Sequence, residues 1–470
     1  MKRLLSYFHP KLPIFLVYML QQSEYDAGKF IAWLAKLPNL TKINYRGQLI
    51  WTKKAKLLVG INYLILILLL VSLYWAVKSN SVVFLALILI IPTLLIGIFY
   101  LLVAIAWSLI EKPRRDSQIK QAKKIFSNHK ALKIAIAGSY GKTTVKELLY
   151  TVLSEGRKTA KTPGNKNVPI SHARFAHSLS GDEDVLLVEY GEAAPGDILN
   201  FANNTQPDVG IITGLAPNHL DGYKTLQAVA DDLFSLTDFL KSKPVYVNTD
   251  SEVVKPYLKK GHITYGQDGL DGWKITSIRI DIHKTSFVMQ KGANLIKVES
   301  GLIGRHQIGS LALAVVLAHK LGLTNKQIET GLAKTKPFDH RMQPREIGGG
   351  WIIDDTYNGN IEGVVAGLDF LKTIKAKRKI YVTPGLVDQG EETERVHMEI
   401  GIAISKSEPD KVVLMKNSST AYIEEGILAG GYKGPVEVRD DPLDFYNNIE
   451  HYIAAGDVWL LQNDWPDNYL

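Results

Sequence analysis

Two long uncharged runs dominate the first quarter of the chain: Leu57–Val77 (LLVGINYLILILLLVSLYWAV) and Val82–Ile110 (VVFLALILIIPTLLIGIFYLLVAIAWSLI). A helix that crosses a bilayer needs about 20 apolar residues, so both runs predict spanning helices. Only Lys78–Ser81 separates them, which predicts a tight antiparallel hairpin. The second run exceeds the minimum, so tilt or a kink is expected, with Pro92 as the kink site. A pair of buried core helices is the competing reading. Upstream, Leu12–Leu20 is apolar but too short to span, and Tyr25, Phe30, Ile31, Trp33 and Leu34 recur at roughly helical spacing. This predicts a short helix lying on the inner membrane face, on a partner or on the soluble body. No small-residue cleavage site follows closely, which argues against a signal peptide.

Beyond residue 112 the pattern changes to short apolar runs separated by helical stretches. KIAIA (133–137), VLLV (185–188), 209–213, WIIDD (351–355), KIYVTPG (379–385) and KVVLM (411–415) read as strands. Strands alternating with helices predict an α/β architecture. The expected organisation is an N-terminal segment 1–50, a transmembrane hairpin 51–112, a central α/β domain 113–335 and a smaller α/β domain 336–470. The mostly polar run Lys112–Lys130 is either a linker out of the membrane or a juxtamembrane helix.

With 46% hydrophobic and 22% charged residues, the chain is neither disordered nor low-complexity. It has 0 Cys, which excludes disulfides, zinc–thiolate sites and Cys nucleophiles. The net charge of +8 is unevenly distributed. Residues 1–130 hold 18 Lys and Arg against 4 Asp and Glu, and the remainder is net acidic. Base concentrated beside apolar runs points to an anionic lipid surface and away from nucleic acid. Lys53, Lys54 and Lys56 precede the first run; Lys112, Arg114, Arg115, Lys120, Lys123 and Lys124 follow the second; the connection has Lys78 alone. By the positive-inside rule both ends of the hairpin, and everything after it, face the cytoplasm.

The chemistry begins at Gly138-Ser139-Tyr140-Gly141-Lys142-Thr143-Thr144, set between a β-like run and the helical pattern VKELLYTVL. Strand, glycine loop and helix form the context of a phosphate cradle. The glycines let backbone N–H groups approach phosphates, Lys142 would neutralise the outer phosphates, and the Thr143 hydroxyl would coordinate Mg2+. Ile136 stands where the full Walker pattern wants a glycine, so the loop is GxxGKTT. Glu189, at the end of a buried run, suits a metal ion. His219 follows a third run in a turn-rich loop, where a lone histidine is more often a surface or capped residue than a ligand.

In order, GSYGKTT, TPGNKNVP (162–169), LLVEYG (186–191) and IITGLAPNHLDGY (211–223) resemble the Mur ligases, and within them the branch that adds D-Ala-D-Ala to the muramoyl-tripeptide precursor. Gly304-Arg-His306, Asp339-His-Arg341-Met, Ile352-Ile-Asp-Asp355-Thr-Tyr-Asn358-Gly-Asn360 and Pro384-Gly-Leu-Val-Asp388-Gln-Gly390, the last followed by His397 and Gly401, extend the likeness over residues 131–470. The resemblance implies a P-loop mononucleotide-binding domain and a Rossmann-like C-terminal domain with ATP between them. It also implies an ATP- and Mg2+-dependent carboxylate–amine ligase that works through an acyl phosphate. By matching positions, Lys142 would hold the β- and γ-phosphates, Thr143, Glu189 and His219 would surround Mg2+, Arg341 and Asp355 would reach ATP, and Asn358 would lie near the incoming amine. Ser310 falls where the family has an adenine-contacting Asn.

The sequence departs from the family in instructive places. A membrane hairpin stands where the family has its UDP-sugar domain, which implies a carboxylate acceptor that is membrane-held or lipid-linked, with an amino acid or dipeptide as the amine. Val229–Ser235 lacks the family's carbamylated lysine; Asp231 or Asp232 would supply the charge, or else both face solvent. The ending Leu461–Tyr469 replaces a KGS-type terminus. The leading expectation is a membrane-anchored ligase of peptidoglycan synthesis, placed among other cell-wall enzymes. A polyglutamate-type ligase and a non-ligating ATP-binding scaffold are the alternatives.

Overall fold

The computed structural model describes residues 9–23, 25–36, 49–76, 90–164, 166–217, 220–357, 359–387 and 389–463. The chain divides into two compact units, one ending at Ser117 and one beginning at Gln118.

The first unit is helical: α1 (Leu12–Gln22), α2 (Ala27–Lys36), α3 (Lys53–Ala76) and α4 (Ile91–Ala106), the last running on through a π-turn at Trp107–Glu111 into α5 (Lys112–Asn128), of which the residues from Gln118 belong to the second unit. By length and composition, two helical stretches, Lys53–Trp75 and Ile91–Asn128, suffice to cross a membrane. Pro92 occupies the first turn of α4, where its missing N–H costs no helical hydrogen bond. The kink expected at Pro92 is therefore a helix start. The turn Lys78–Ser81 lies outside the described residues. The short segments before the long helices also differ from expectation. Leu16, Met19 and Leu20 of α1 and Phe30 of α2 are buried in one apolar cluster with Val59, Leu95 and Phe99 of the long helices. They pack on the apolar helices themselves, because those helices present more hydrocarbon than two of them can cover.

The second unit is built on two parallel-type sheets. The first has strand order β2-β3-β1-β4-β5-β6, from β1 (Leu132–Ala137), β2 (Thr159–Lys161), β3 (Val185–Glu189), β4 (Val209–Ile212), β5 (Val245–Asn248) and β6 (His262–Tyr265), all parallel. Its core explains the apolar runs. Ile134 and Ile136 of β1 pack on one face and Ala135 and Ala137 on the other, so every position is apolar. The helix α6 (Lys142–Leu153) lies on the first face, and α7 (Pro169–Ser178), α8 (Asp197–Thr205) and α9 (Leu226–Leu240) cover the second.

The strand–helix alternation expected over 113–335 breaks at residue 269. There β7 (Gly269–Leu270), β8 (Trp273–Ile280), β9 (Thr285–Lys291) and β10 (Asn294–Ser300) form a separate antiparallel sheet. Only one face is buried, with Trp273, Phe287, Met289, Ile296 and Val298 joining the core that holds Ile134. The signal was a period-two alternation, which the run-counting used for buried strands overlooks. Then α10 (Ile308–Lys320) and α11 (Asn325–Ala333) return to the first sheet.

The second large sheet has order β11-β12-β16-β13-β14-β15, from β11 (Gln343–Ile347), β12 (Gly350–Asp355), β13 (Arg378–Thr383), β14 (Lys411–Met415), β15 (Val436–Arg439) and β16 (Asp457–Gln462). Only the β11–β12 pair is antiparallel. Its two faces hold separate cores, one around Ile353, Tyr381 and Leu460 and the other around Ile352, Val382 and Leu461. The helices α12 (Ile361–Thr373) and α13 (Thr393–Ser407) cover the first face.

Candidate active site

The loop 138–141 leaves the carboxyl end of β1 between β3 and β4, where the strand order reverses. Open parallel sheets form their ligand crevices at this point. Gly138 has φ +140°, and a Cβ there would lie 2.3 Å from Thr213 Oγ1. Gly141 has φ +77° and caps α6, so its backbone turns where L side chains are rarely found. Both glycines are therefore required by geometry, and the N–H groups opening α6 form a ready anion cradle.

Two acid–base pairs flank the cradle. Lys142 Nζ donates to Glu192 Oε1 at 3.0 Å and Oε2 at 2.8 Å, and also to the Gly138 carbonyl. Lys146, one turn along α6 and wholly buried, donates to Glu189 Oε2 at 3.0 Å and to the Gly164 carbonyl. Glu189 Oε1 accepts from the Thr143 hydroxyl at 3.0 Å and from Asn167 Nδ2 at 3.4 Å. A hydroxyl and a carboxylate meeting beside a phosphate cradle are hard oxygen donors of the kind Mg2+ takes. Sequence reasoning identified Thr143 and Glu189 but missed Lys146, Asn167 and Glu192. Lys146 lies four residues after Lys142 on the same helix face, which was the available signal.

The C-terminal sheet supplies the facing wall. Asp355 ends β12; its Oδ1 accepts from the Met342 N–H at 3.1 Å and its Oδ2 from Gln462 Nε2 at 2.8 Å. Burial pushes its carboxyl up to about 7. The Arg341 guanidinium stacks 4.4 Å from the Tyr357 ring. Tyr140, Gly141 and Thr144 share a cavity of about 140 Å³ with Arg341 and Asp355. They also line a neighbouring cleft of about 620 Å³ with Asn248, Ser310 and Glu362. The structure thus gathers Tyr140, Gly141, Thr144, Ser310, Arg341 and Asp355 around adjoining cavities. Lys142, Thr143 and Glu189 stand at the same loop, where Ser139 is buried. His219 and Asn358 lie outside the described residues, as does Asp388. Asp232 does not face an open site: it accepts from Tyr223 Oη at 2.7 Å and the Gly196 N–H at 2.8 Å, tying the start of α8 to α9. Asp231 is exposed and accepts from Gln227.

Two histidines frame this region, His172 buried and His306 half-buried. His172 Nε2 donates to the Glu189 carbonyl at 2.8 Å, and His306 lines both cavities. Burial lowers each to about 4. Each ring is neutral in the fold and takes up a proton on unfolding below about pH 6.5. Their contribution is intact above pH 6.5 and declines as pH falls toward 4, by roughly 3 kcal/mol each. Thermal unfolding of His306→Gln between pH 6.5 and pH 4 should therefore show a shallower loss of stability than the wild type; equal slopes would count against this account.

The Mur ligase middle domain family matches residues 136–318. The UDP-N-acetylmuramoyl-tripeptide–D-alanyl-D-alanine ligase of Escherichia coli is 27% identical over 296 residues, covering 61% of this chain and 65% of that protein. The enzyme of the same name from Synechocystis is 28% identical over 341 residues, covering 70% and 71%. The chain spans about two thirds of the length of the curated relatives it matches. Among solved structures, MurF from Acinetobacter baumannii superposes with a TM-score of 0.65 at 21% identity, covering 74% of this chain and 77% of that one. MurF from Thermotoga maritima in complex with ADP also gives 0.65, at 23% identity, covering 74% and 80%.

Proposed function

Because this chain is a MurF-like member of the Mur ligase family, we propose that it is an ATP- and Mg2+-dependent carboxylate–amine ligase of peptidoglycan-precursor synthesis, held at a membrane by its first unit. The observation that carries the reading is the convergence of the glycine loop with Arg341 and Asp355, from a separate sheet, on one cavity. A nucleotide switch has no need of a second wall of that kind. The ADP held by the Thermotoga relative supports the same use of the cleft.

In this reading the loop N–H groups and Lys142 hold the outer phosphates, Ser139, Tyr140 and Thr144 line the cradle, and Ser310 faces the nucleoside. Thr143 and Glu189, with His219, would hold Mg2+, which would supply charge neutralisation at the phosphates. A substrate carboxylate oxygen attacks the γ-phosphorus, and the bond from that phosphorus to ADP breaks. The amine nitrogen then attacks the acyl carbon, phosphate leaves with the C–O bond, and the amine's proton passes to solvent. The work of the protein is positioning and charge stabilisation. Arg341 and Asp355 act from the C-terminal wall, and Asn358 meets the amine. Domain boundaries at 1–50, 51–112, 113–335 and 336–470 belong to the same proposal.

Membrane attachment is supported by exposure. In the apolar windows of the two long helices only 11% and 17% of the residues are buried, whereas core helices of a soluble protein are mostly buried. Leu64, Leu68, Trp75, Leu101 and Leu109 stand open to the surroundings. The acceptor in this reading is lipid-linked and the catalytic unit cytoplasmic. With 0 native Cys, orientation is directly testable. Ser79→Cys should react with an impermeant maleimide in intact cells and Ser117→Cys only after lysis; the reverse pattern would overturn the orientation.

The activity test uses the full chain in nanodiscs with ATP, Mg2+ and paired substrates, reading phosphate release and product mass. Release that requires both a carboxylate acceptor and an amine is expected. Comparing a UDP-linked with a lipid-linked peptide acceptor, and D-Ala-D-Ala with glutamate, identifies the pair. Acceptor-independent hydrolysis, or nucleotide binding without turnover, would overturn the ligase reading.

A further inference from the structure

The phosphate-loop lysine does not stand alone. Glu192 lies three residues beyond the end of β3, with its side chain 1% exposed, and both its oxygens reach Lys142 Nζ within 3.0 Å. A loop built to attract phosphate therefore carries its own buried anion on the residue that would meet the phosphates. Glu189, the other carboxylate of this region, is held by Lys146 and Thr143.

The consequence follows from Coulomb's law. With Glu192 in place, the charge of Lys142 is largely neutralised, and an arriving triphosphate meets a carboxylate as well as an ammonium. Repulsion from a fixed anion grows with the charge of the ligand, and water screens it poorly at a buried site. A free nucleoside triphosphate carries more negative charge than its magnesium complex, so the penalty falls mainly on the free form. From this pairing we infer that Glu192 makes the site selective for the metal-complexed nucleotide over the free nucleotide. The inference rests on the phosphate-binding reading of the loop and deepens it. Glu192 is a specificity residue that acts through Lys142 and takes no part in bond making.

The test is nucleotide binding by calorimetry to the full chain in nanodiscs, using a non-hydrolysable ATP analogue in excess Mg2+ and in EDTA. The wild type should bind the magnesium complex the more tightly. Glu192→Gln keeps the shape and removes the charge, and should tighten binding of the free analogue about tenfold or more while changing the magnesium complex little. Glu192→Asp, which restores the charge, should restore discrimination. Equal preference in wild type and Glu192→Gln would overturn the inference. A parallel loss of affinity for both forms would overturn it too, because Glu192 would then serve only to prop Lys142. If the wild type bound no nucleotide under either condition, the failure would lie in the nucleotide reading itself. Thermal unfolding of each variant establishes that the binding change is not loss of fold.

Discussion

Replacing Lys142 by alanine is expected to lower nucleotide-dependent turnover by about 10²–10³-fold, the usual loss when one preorganised group that stabilises developing charge is removed. Lys142 opens α6 beside the anion cradle, and among the described residues no lysine lines the adjoining cavity to take its place. The substitution has a second effect that must be separated from the first. Glu192 is buried and gives both oxygens to Lys142, so Lys142→Ala strands a carboxylate and lowers stability as well. Adding Glu192→Gln removes that stranded charge. The double variant should regain thermal stability and remain inactive, whereas recovery of turnover would remove Lys142 from the chemistry. Both variants should still fractionate with membranes, because the apolar helices belong to the other unit. Phosphate release and thermal unfolding on the same nanodisc preparations give both readouts.

The largest stability effect is expected at Lys146. Its side chain is 0% exposed and ion-paired with Glu189, which is 2% exposed. Burying two charges is costly in itself, so the pair is no evidence of net stabilisation. Removing one partner is another matter, because it leaves an uncompensated charge with nowhere to be solvated. Lys146→Met should destabilise the second unit by about 3–5 kcal/mol, a fall in Tm on the order of 10 °C. Lys146→Met combined with Glu189→Gln should recover much of that loss, because both charges are then gone. The single variant should also weaken nucleotide-dependent turnover, since Glu189 loses the contact that orients its second oxygen away from Thr143. A drop below about 1 kcal/mol in the single variant would show that water reaches Glu189 and that the pair is not the buried unit described here.

Some of the site was legible before any coordinates. Gly138 and Gly141 could be read because a loop between an apolar strand and a helix needs positive φ at fixed places. Glu189 could be singled out only as a carboxylate ending an all-apolar run, a weak signal because many strands end that way; the structure sets it against Thr143 and Lys146. The partners of these residues were not legible. Glu192 reaches Lys142 across 50 positions and Asn167 reaches Glu189 across 22. Gln462 reaches Asp355 across 107. No local period encodes such distances, since they depend on which strands become neighbours. The antiparallel sheet at 269–300 was missed for a different reason, because its alternating pattern was present but lay among runs read as buried parallel strands.

What the sequence determined alone was everything set by short-range chemistry. Uncharged runs of membrane-spanning length, strands apolar at every position, and a glycine loop at a strand-to-helix junction are all consequences of hydrocarbon burial and backbone sterics within a few residues. Tertiary structure decided which side chains meet: that α1 and α2 cover the long helices, that Asp232 is a tether between α8 and α9, and that Lys142 and Lys146 each face a buried carboxylate. Those outcomes turn on strand order and on the cost of leaving a charge or a hydrocarbon face uncovered, and both are properties of the whole fold.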